Sequence, residues 1–303
     1  MSTQSLATQA SATPAAVKSD AGQSGSGISA LKIMNYTILV LLTLVFVGPL
    51  FFILMNSFKG RFFISSSPFA LPIGDYFVGL TNYTSGLAVT NFFNAMGWSF
   101  VITIGSVTVI VFFTAMTAYY ITRIKARWTN VVYLIFVFSM IVPFQAVMFP
   151  TIKIADMLGL SNPAGMMVLY LGFGAGLSVF IFSGFVKSIP LEIEEAATID
   201  GCGPLKTYFY IVFPMLKPVA ITVAILNTMW VWNDYLLPYL VIGLSTPYKT
   251  IPVAIQMMAG SYGDNDMGAM MAMLVLAIIP IVVFYLFSQK YIIEGVAAGA
   301  VKG

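Results

Sequence analysis

The sequence predicts an all-α membrane protein with six transmembrane helices, and three observations carry this prediction. The 303 residues have a mean hydropathy of +0.93, and only 8% of them are charged, whereas a soluble domain needs a polar surface. Six apolar runs of 21 to 25 residues recur along the chain, and about 20 helical residues span the hydrocarbon core of a bilayer. Charged side chains avoid these runs, with Asp234 as the one exception.

Each apolar run is predicted to be a helix, because backbone polar groups in lipid must be satisfied within their own segment. The predicted spans are Ile33–Met55, Ala95–Ala118, Asn130–Pro150, Pro163–Val186, Val219–Gly243 and Gly268–Gln289. Residues 1–30 are rich in Ser, Ala, Thr, Gly and Gln, so we expect a disordered cytoplasmic tail there. Residues 31–303 are then one membrane domain.

Basic residues predict the orientation of this domain. With the N-terminus inside, the inner segments hold ten Lys and Arg residues and the outer segments hold four. The excess of basic residues on the inside favours a topology with both termini in the cytoplasm.

Composition also limits the chemistry that the chain performs. It has no histidine and one cysteine, Cys202, so neither an intrachain disulfide nor the commonest metal ligand is present. The net charge of +3 is explained by basic loops facing anionic lipid, without a nucleic-acid partner. No P-loop and no nucleophile–base pair are found in the sequence, which predicts a protein that is neither an ATPase nor another enzyme.

The segment between the fourth and fifth runs, residues 187–218, is unusually charged for this chain. It begins with Ser188 and Pro190, which favour a helix start, and Gly201 favours a helix end. Gly203-Pro204 then restarts the chain toward the fifth run. We therefore predict a short helix, a sharp turn and a second helix. The carboxylates of the first helix are Glu192, Glu194, Glu195 and Asp200.

The spacing of this segment matches a known pattern. Glu195, Ala196 and Ala197 are followed after three residues by Gly201, and after nine more by Ile211-Val212-Phe213-Pro214. This pattern resembles the EAA loop of membrane permease subunits of ABC-type importers, except that Phe213 stands where leucine is usual. SMIVPFQAVMFP, FVKSIPLEIEEAATIDG, WNDYLLPYL and the closing GVAAGAVKG also resemble the carbohydrate-type permeases. The resemblance covers residues 33–303 and is greatest to the six-helix partner in maltose-type importers of di- and oligosaccharides.

The resemblance implies a transport mechanism and a set of partners. The loop helix of such permeases docks on a cytoplasmic ATPase and carries its motion into the membrane, which produces alternating access. The implied partners are a second homologous permease, two ATPase subunits that bind ATP and Mg²⁺, an extracellular sugar-binding protein and the bilayer of a bacterial cytoplasmic membrane. No cofactor is expected on this chain itself. The residues implied to couple to the ATPase are Glu194, Glu195, Ala196, Ala197, Asp200 and Gly201.

Polar and aromatic residues within the third and fifth runs suggest a sugar pathway. Asp234 is ionisable at a depth where such residues usually face protein or a water-filled cavity, and aromatic rings and carboxamides suit sugars. The candidates are Gln145, Trp232, Asn233, Asp234 and Tyr235. A structural interpretation stays open, in which Asn233 and Asp234 satisfy backbone groups freed near Pro238.

Two other classes of transporter compete with the importer. Asn162-Pro163-Ala164 is the NPA signature of water and glycerol channels, but a single copy at the end of a run is explained by Asn as N-cap and Pro at the first helical position. An ion-coupled secondary transporter is expected to carry more charge within its spans than Asp234 alone. The charged loop before the fifth run argues against both.

Overall fold

The computed structural model describes residues 30–258 and 266–300, with side chains for residues 31–258 and 266–291. The described residues are almost entirely helical, and the extended pairing among them is one isolated antiparallel bridge between Lys59 and Phe77. The predicted all-α class is therefore confirmed. The predicted cytoplasmic tail lies outside the described residues apart from Ala30.

Helices of very different length follow one another along the chain. In order they are α1 (Ala30–Asn56), α2 (Arg61–Ser66), α3 (Thr81–Thr90), α4 (Phe92–Arg123), α5 (Arg127–Ser139), α6 (Phe144–Met157), α7 (Pro163–Val186), α8 (Leu191–Ile199), α9 (Pro204–Thr207), α10 (Phe213–Met215), α11 (Lys217–Asn233), α12 (Leu236–Pro238), α13 (Ile251–Gln256) and α14 (Met267–Ala300). A 3-10 turn, Gly74–Tyr76, precedes α3, and π-helical segments follow α9 and α12 at Tyr208–Val212 and Tyr239–Gly243.

Four of these helices are long and apolar enough to cross a membrane: Leu31–Asn56, Phe92–Arg123, Pro163–Val186 and Met267–Tyr291. Two bent helix pairs reach the same hydropathy, and counting each pair as one span raises the total to six. The described residues therefore contain four to six candidate membrane helices.

The third apolar run, Asn130–Pro150, is not the single helix that was predicted. Helix α5 ends at Ser139 and α6 begins at Phe144, and the two axes differ by 107°. Pro143 explains the break, because proline lacks the backbone N–H of an interior helical residue and restricts the residue before it. Its own ψ of 138° is extended, so Pro143 serves as the N-cap of α6.

The fifth run, Val219–Gly243, is also interrupted. Helix α11 ends at Asn233, Asp234 takes an extended ψ of 125°, and helical structure resumes at Leu236. Because Pro238 has no N–H to donate to the carbonyl four residues earlier, a helix through Asp234 would lose a hydrogen bond there. At its other end α11 is bent by 73° from the helical segment Pro204–Met215.

The chain divides into two compact units, Met1–Pro49 and Leu50–Gly303. The described part of the first unit is the N-terminal portion of α1, and all other helices belong to the second. Within the second unit α4 packs against α7 and α11, and α5 packs against α7. A Cβ on Gly176 would lie 2.7 Å from the Phe136 carbonyl oxygen, so glycine allows α5 and α7 to approach closely.

Three buried apolar clusters order the second unit. One joins the C-terminal half of α4 to the C-terminal half of α7 and to Tyr208, Val212 and Leu216. Another joins the start of α4 to α13 and α14. The third joins the middle of α4 to α6, α7 and the segment after α12. The first cluster lies beside the charged loop, and the third lies beside the break at Asp234.

A buried cation organises the segment after α1. Lys59 is fully buried, and its ammonium donates hydrogen bonds to the carbonyl oxygens of Ser67 and Pro68 at 3.0 and 3.1 Å. Burial lowers the pKa of this ammonium. The Asn82 amide donates to the carbonyl oxygens of Ser57 and Lys59, each at 2.8 Å. These bonds hold α2 and α3 in a folded segment between α1 and α4.

Candidate functional site

The charged segment between α7 and α11 forms the predicted helix, turn and second helix. Helix α8 follows Pro190, and Asp200 closes its C-terminal end. Gly201 has a φ of +82°, the left-handed region in which glycine carries no Cβ penalty. Gly203 precedes α9, whose first helical residue is Pro204. The predicted local structure of this segment is therefore confirmed.

The two sides of α8 differ in exposure. Helical periodicity places exposed residues on one face and partly or fully buried residues on the other. The inner side consists of Ile193, Glu194 and Ala197, and the remaining residues of α8 are exposed: Leu191, Glu192, Glu195, Ala196, Thr198 and Ile199. The EAA triplet is thus divided, because Ala197 is only 4% exposed while Glu195 and Ala196 are open to solvent. Ala197, one of the residues that the resemblance implies to couple to the ATPase, therefore faces the interior of this chain.

Glu194 is engaged by residues of α4. Its Oε1 accepts a hydrogen bond from Arg123 Nε at 2.7 Å and lies 2.6 Å from Arg123 Nη2, and its Oε2 accepts from the Tyr119 hydroxyl at 2.8 Å. The two charged side chains are only 14% and 12% exposed. The resemblance implied that both Glu194 and Glu195 couple to the ATPase, but the structure engages Glu194 within the chain and leaves Glu195 exposed.

Two exposed apolar residues near the EAA triplet were missed by sequence reasoning. Ile199 is 86% exposed and Leu205 is 67% exposed, although the surrounding segment is polar. Ile199 lies four residues after Glu195, which puts both on the same helical face. The sequence did contain a signal for this exposed side chain, namely an isoleucine four residues after Glu195 in an otherwise charged segment. The exposed side of α8 therefore combines carboxylates, the small residue Ala196 and two exposed apolar side chains, of which Ile199 is far more exposed than Leu191 at 46%.

The break after α11 is organised by Asp234. Its Oδ2 accepts a hydrogen bond from the Tyr170 hydroxyl at 3.0 Å, and its Oδ1 accepts from the Leu236 backbone N–H at 3.0 Å. Tyr170 is fully buried in α7. No cation among the described residues forms an ion pair with Asp234. The carboxylate thus satisfies a backbone donor freed by the break, as the structural interpretation expected.

The other predicted pathway residues lie in different environments. Trp232 is 7% exposed and packs edge-on against Phe100, with ring centroids 4.9 Å apart. Tyr235 stacks on Tyr239 at 5.1 Å. Asn233 is exposed, and its amide donates to the Met229 carbonyl oxygen at 2.7 Å. Trp232 and Tyr235 therefore serve packing, whereas Asn233 retains an exposed carboxamide.

Gln145 lies in the first turn of α6, directly after the break at Pro143. Its side chain is exposed. The preceding residue, Phe144, packs edge-on against Phe173 of α7 at 5.2 Å and joins the apolar cluster that contains Tyr170. The break in the third run and the break in the fifth run are thus linked through one cluster.

A cavity of about 290 Å³ lies between α4, α11 and α14. Its walls include Phe100, Trp232 and Pro280, and its polar groups are threonine hydroxyls, among them Thr103 and Thr228. A sugar needs several convergent polar groups for its hydroxyls. The wall is largely apolar and offers few such groups, so we assign no sugar site to this cavity.

The NPA sequence caps a helix. Asn162 Oδ1 accepts a hydrogen bond from the Gly165 N–H at 2.9 Å, and Pro163 is the first residue of α7. Asn162 also donates to the Gly159 carbonyl oxygen at 2.8 Å. The N-cap explanation of this motif is confirmed.

Comparison with protein families identifies the chain. Residues 110–297 match the model of the binding-protein-dependent transport system inner membrane component. That match contains α8, its turn and the helices on both sides. The chain belongs to this family. The permease is therefore a multi-pass membrane protein of the ABC transporter type rather than an enzyme, and the channel and secondary-transporter hypotheses are not favoured.

Two curated relatives are permease proteins of sugar transport systems. The permease is 38% identical over 264 residues to the probable starch degradation products transport system permease protein AmyC of Thermoanaerobacterium thermosulfurigenes, covering 87% of this chain and 94% of the relative. It is 37% identical over 274 residues to the multiple sugar-binding transport system permease protein MsmG of Streptococcus mutans, covering 88% and 96%. Permeases of this kind generally work with a partner permease, an ATPase and a substrate-binding protein.

The fold is shared with a solved importer. A chain in the crystal structure of a bacterial ABC transporter involved in the import of the acidic polysaccharide alginate superimposes with a TM-score of 0.71 and 22% identity. The match covers 92% of this chain and 99% of the other. The overall fold of this permease is therefore that of a chain in a solved ABC importer.

Proposed function

We propose that this permease is one of two transmembrane subunits of an ATP-driven importer of di- or oligosaccharides. The sugar class is supported by the names of the relatives AmyC and MsmG. The permease would cross the bacterial cytoplasmic membrane six times, counting α5 with α6 and the bent segment ending in α11 as one span each. The excess of basic residues in alternate loops supports placing both termini and α8 in the cytoplasm.

The observation that carries this proposal is the exposed face of α8. Glu192 and Glu195 offer carboxylates in the N-terminal half of the helix, Ala196 leaves the surface smooth, and Ile199 protrudes at 86% exposure. An exposed apolar side chain beside small and charged residues suits a groove with an apolar floor and a basic rim. We assign this groove to an ATPase subunit, one for this permease and one for its partner permease.

ATP and Mg²⁺ would bind to the ATPase pair, and no cofactor is assigned to this chain. ATP binding would draw the two ATPases together and displace α8 of each permease. This displacement would open the pathway between the permeases to the outside, where a sugar-binding protein delivers its cargo. Hydrolysis would return α8 and reopen the pathway to the cytoplasm.

Gln145 and Asn233 are the proposed sugar contacts on this chain. Both carboxamides are exposed, and each lies next to a helix break. A carboxamide donates and accepts hydrogen bonds and therefore suits sugar hydroxyls. Trp232, Asp234 and Tyr235 are assigned to holding the break instead, because their side chains are buried or half-buried as well as engaged within the chain.

The assembly is tested by native mass spectrometry of the tagged permease, purified from its own membranes in mild detergent. We expect one copy with one second permease and two ATPases. A homotetramer without an ATPase would overturn the proposal and restore the channel hypothesis.

The docking face is tested by Ile199→Ser, with Leu158→Ser as the matched control. Leu158 is a comparable exposed residue, at 67%, but it follows α6. We expect Ile199→Ser to reduce co-purification of the ATPase by about tenfold, in the range of a buried apolar anchor. Leu158→Ser should leave co-purification unchanged. Equal recovery of the ATPase with both variants would remove α8 as its docking site.

A further inference from the structure

The inner face of α8 is attached to α4, although the sequence connects α8 to α7 and α9. Both carboxylate oxygens of Glu194 are occupied, Oε1 by the Arg123 guanidinium and Oε2 by the Tyr119 hydroxyl. Tyr119 and Arg123 are four residues apart and therefore lie on one face of α4. Together they bind a single side chain of α8, that of Glu194.

The same guanidinium also holds the chain that leads into α8. Arg123 Nη2 donates to the Ile189 carbonyl oxygen at 3.0 Å, on the other side of Pro190 from Glu194. A planar guanidinium presents several donors in a fixed arrangement, so Arg123 orients the entry to α8 as well as its first turns. Ile189 is 4% exposed and belongs to the apolar cluster that joins α4 and α7.

The attachment is protected from solvent and backed by packing. The charged side chains of Arg123 and Glu194 are 14% and 12% exposed, so water competes poorly for their hydrogen bonds. The Tyr119 ring lies 5.1 Å from the ring of Tyr208, which is 2% exposed in the same cluster. The attachment of Glu194 to Tyr119 and Arg123 is therefore part of a packed region rather than a surface ion pair.

Glu194 is turned toward the inner side of α8, whereas Glu195 and Ile199 are exposed. A partner that pushes on the exposed face would thus act on α4 through Glu194. We propose that Arg123 and Tyr119 are positioning residues that connect α8 to α4, so that displacement of α8 by the ATPase moves α4. This inference rests on the proposed function of α8. It makes α4, and not only the two flanking helices, the direct receiver of the motion.

The test uses the complete importer reconstituted in proteoliposomes with its binding protein and sugar. The variant is Glu194→Gln, and Asp156→Asn is the control, because Asp156 is an exposed carboxylate at the end of α6. The measured quantities are assembly with the ATPase, ATP hydrolysis, and sugar taken up per ATP hydrolysed. Glu194→Gln should assemble and hydrolyse ATP but take up about tenfold less sugar per ATP, since it loses its charge-assisted bonds. Asp156→Asn should match the wild type.

A conservative series separates positioning from general stability. Arg123→Lys keeps the positive charge but loses the planar guanidinium with its several donors, and Arg123→Gln loses both the charge and the guanidinium. We expect uptake per ATP to fall in the order wild type, Arg123→Lys, Arg123→Gln, with equal thermal midpoints for the assembled complexes of wild type and Arg123→Lys. If Glu194→Gln does not fold, Tyr119→Phe removes one hydrogen bond and should lower uptake per ATP by about threefold.

The outcomes distinguish this inference from the function on which it rests. Wild-type uptake per ATP in Glu194→Gln and Arg123→Gln would overturn the link to α4 and leave the importer intact. A fall in uptake that only follows a fall in assembly or thermal midpoint would also overturn it. A wild-type preparation that binds no ATPase would overturn the proposed function instead.

Discussion

Glu194 and Asp234 lie in two different regions of the second unit, and each carboxylate accepts a hydrogen bond from a tyrosine hydroxyl. At Glu194 the tyrosine is joined by Arg123, which makes an ion pair with Oε1 and also holds the Ile189 carbonyl oxygen. At Asp234 the second donor is a backbone N–H, that of Leu236. No cation among the described side chains is paired with Asp234.

The difference follows from the location of each carboxylate. Glu194 lies in a charged loop next to the C-terminal end of α4, where the helix dipole favours a cation such as Arg123. Asp234 lies at a helix break in an apolar run, where an ion pair would cost desolvation and a freed peptide N–H is already available. Glu194 therefore connects α8 to α4 through side-chain donors of α4. Asp234 instead accepts a hydrogen bond from a backbone N–H that the helix break has freed.

The largest expected effect comes from distorting the turn beside the Glu194 helix. Gly201→Asp should leave insertion intact and abolish sugar uptake. A side chain at φ +82° costs about 1–2 kcal/mol, and a carboxylate after the end of α8 opposes the helix dipole. Membrane fractionation and uptake of labelled sugar measure the two results.

Gly203→Asp is the matched control for this change. Gly203 has a φ of −73° and precedes α9, where aspartate is a favourable N-cap. A Cβ has open space at both glycines, so a steric clash does not distinguish the two variants. They differ in the backbone conformation at the substituted residue and in the sign of the nearby helix dipole. Wild-type uptake by Gly201→Asp would remove the turn from the coupling mechanism.

A smaller effect is expected at Asp234. Asp234→Ala leaves the Tyr170 hydroxyl and the Leu236 N–H without their acceptor, which should lower the free energy of unfolding by about 1–3 kcal/mol. Asp234→Asn keeps one amide oxygen and should lose less. Unfolding of the purified permease in mixed micelles, followed by circular dichroism, measures both.

Uptake by the same two variants sharpens the assignment of Asp234. If Asp234 stabilises the break through its hydrogen bonds and its charge is not needed, the importer with Asp234→Asn should retain most of its sugar uptake. A stable Asp234→Asn without uptake would return Asp234 to the sugar pathway, and an Asp234→Ala as stable as the wild type would contradict its role in the break.

The smallest effects compare the two tyrosines directly. Tyr170→Phe should cost about 1 kcal/mol of unfolding free energy, because Asp234 then loses its side-chain donor and keeps only backbone donors. Tyr119→Phe should cost less, since Arg123 remains on Glu194. The same mixed-micelle unfolding experiment compares them. A larger loss for Tyr119→Phe would show that the Arg123 contact does not compensate.

Local patterns in the sequence predicted much of the fold. The first, second, fourth and sixth apolar runs lie within α1, α4, α7 and α14, because long apolar runs in lipid favour continuous helices. The turn at Gly201 and the N-cap at Asn162 were also predicted. Each depends on hydrogen bonds and dihedral angles of residues only a few positions apart.

The features that the sequence did not predict involve larger distances along the chain or competing local signals. Pro143 marked the third run as breakable, but hydropathy alone treated it as one helix, and the 107° angle depends on packing against α7. Trp232 suited a sugar surface by residue type, yet Phe100 of another helix buries it.

By itself, the sequence determined that this protein is an all-helical membrane protein with a short charged helix before its fifth apolar run. Hydrophobic length, helix caps and turn residues carry that information locally. Only the tertiary structure decided which face of α8 is exposed and that Glu194 meets Tyr119 and Arg123, which are more than 70 residues earlier. Such pairs form because α4 and α7 pack together and enclose the loop, and no pattern within the loop specifies its distant partner.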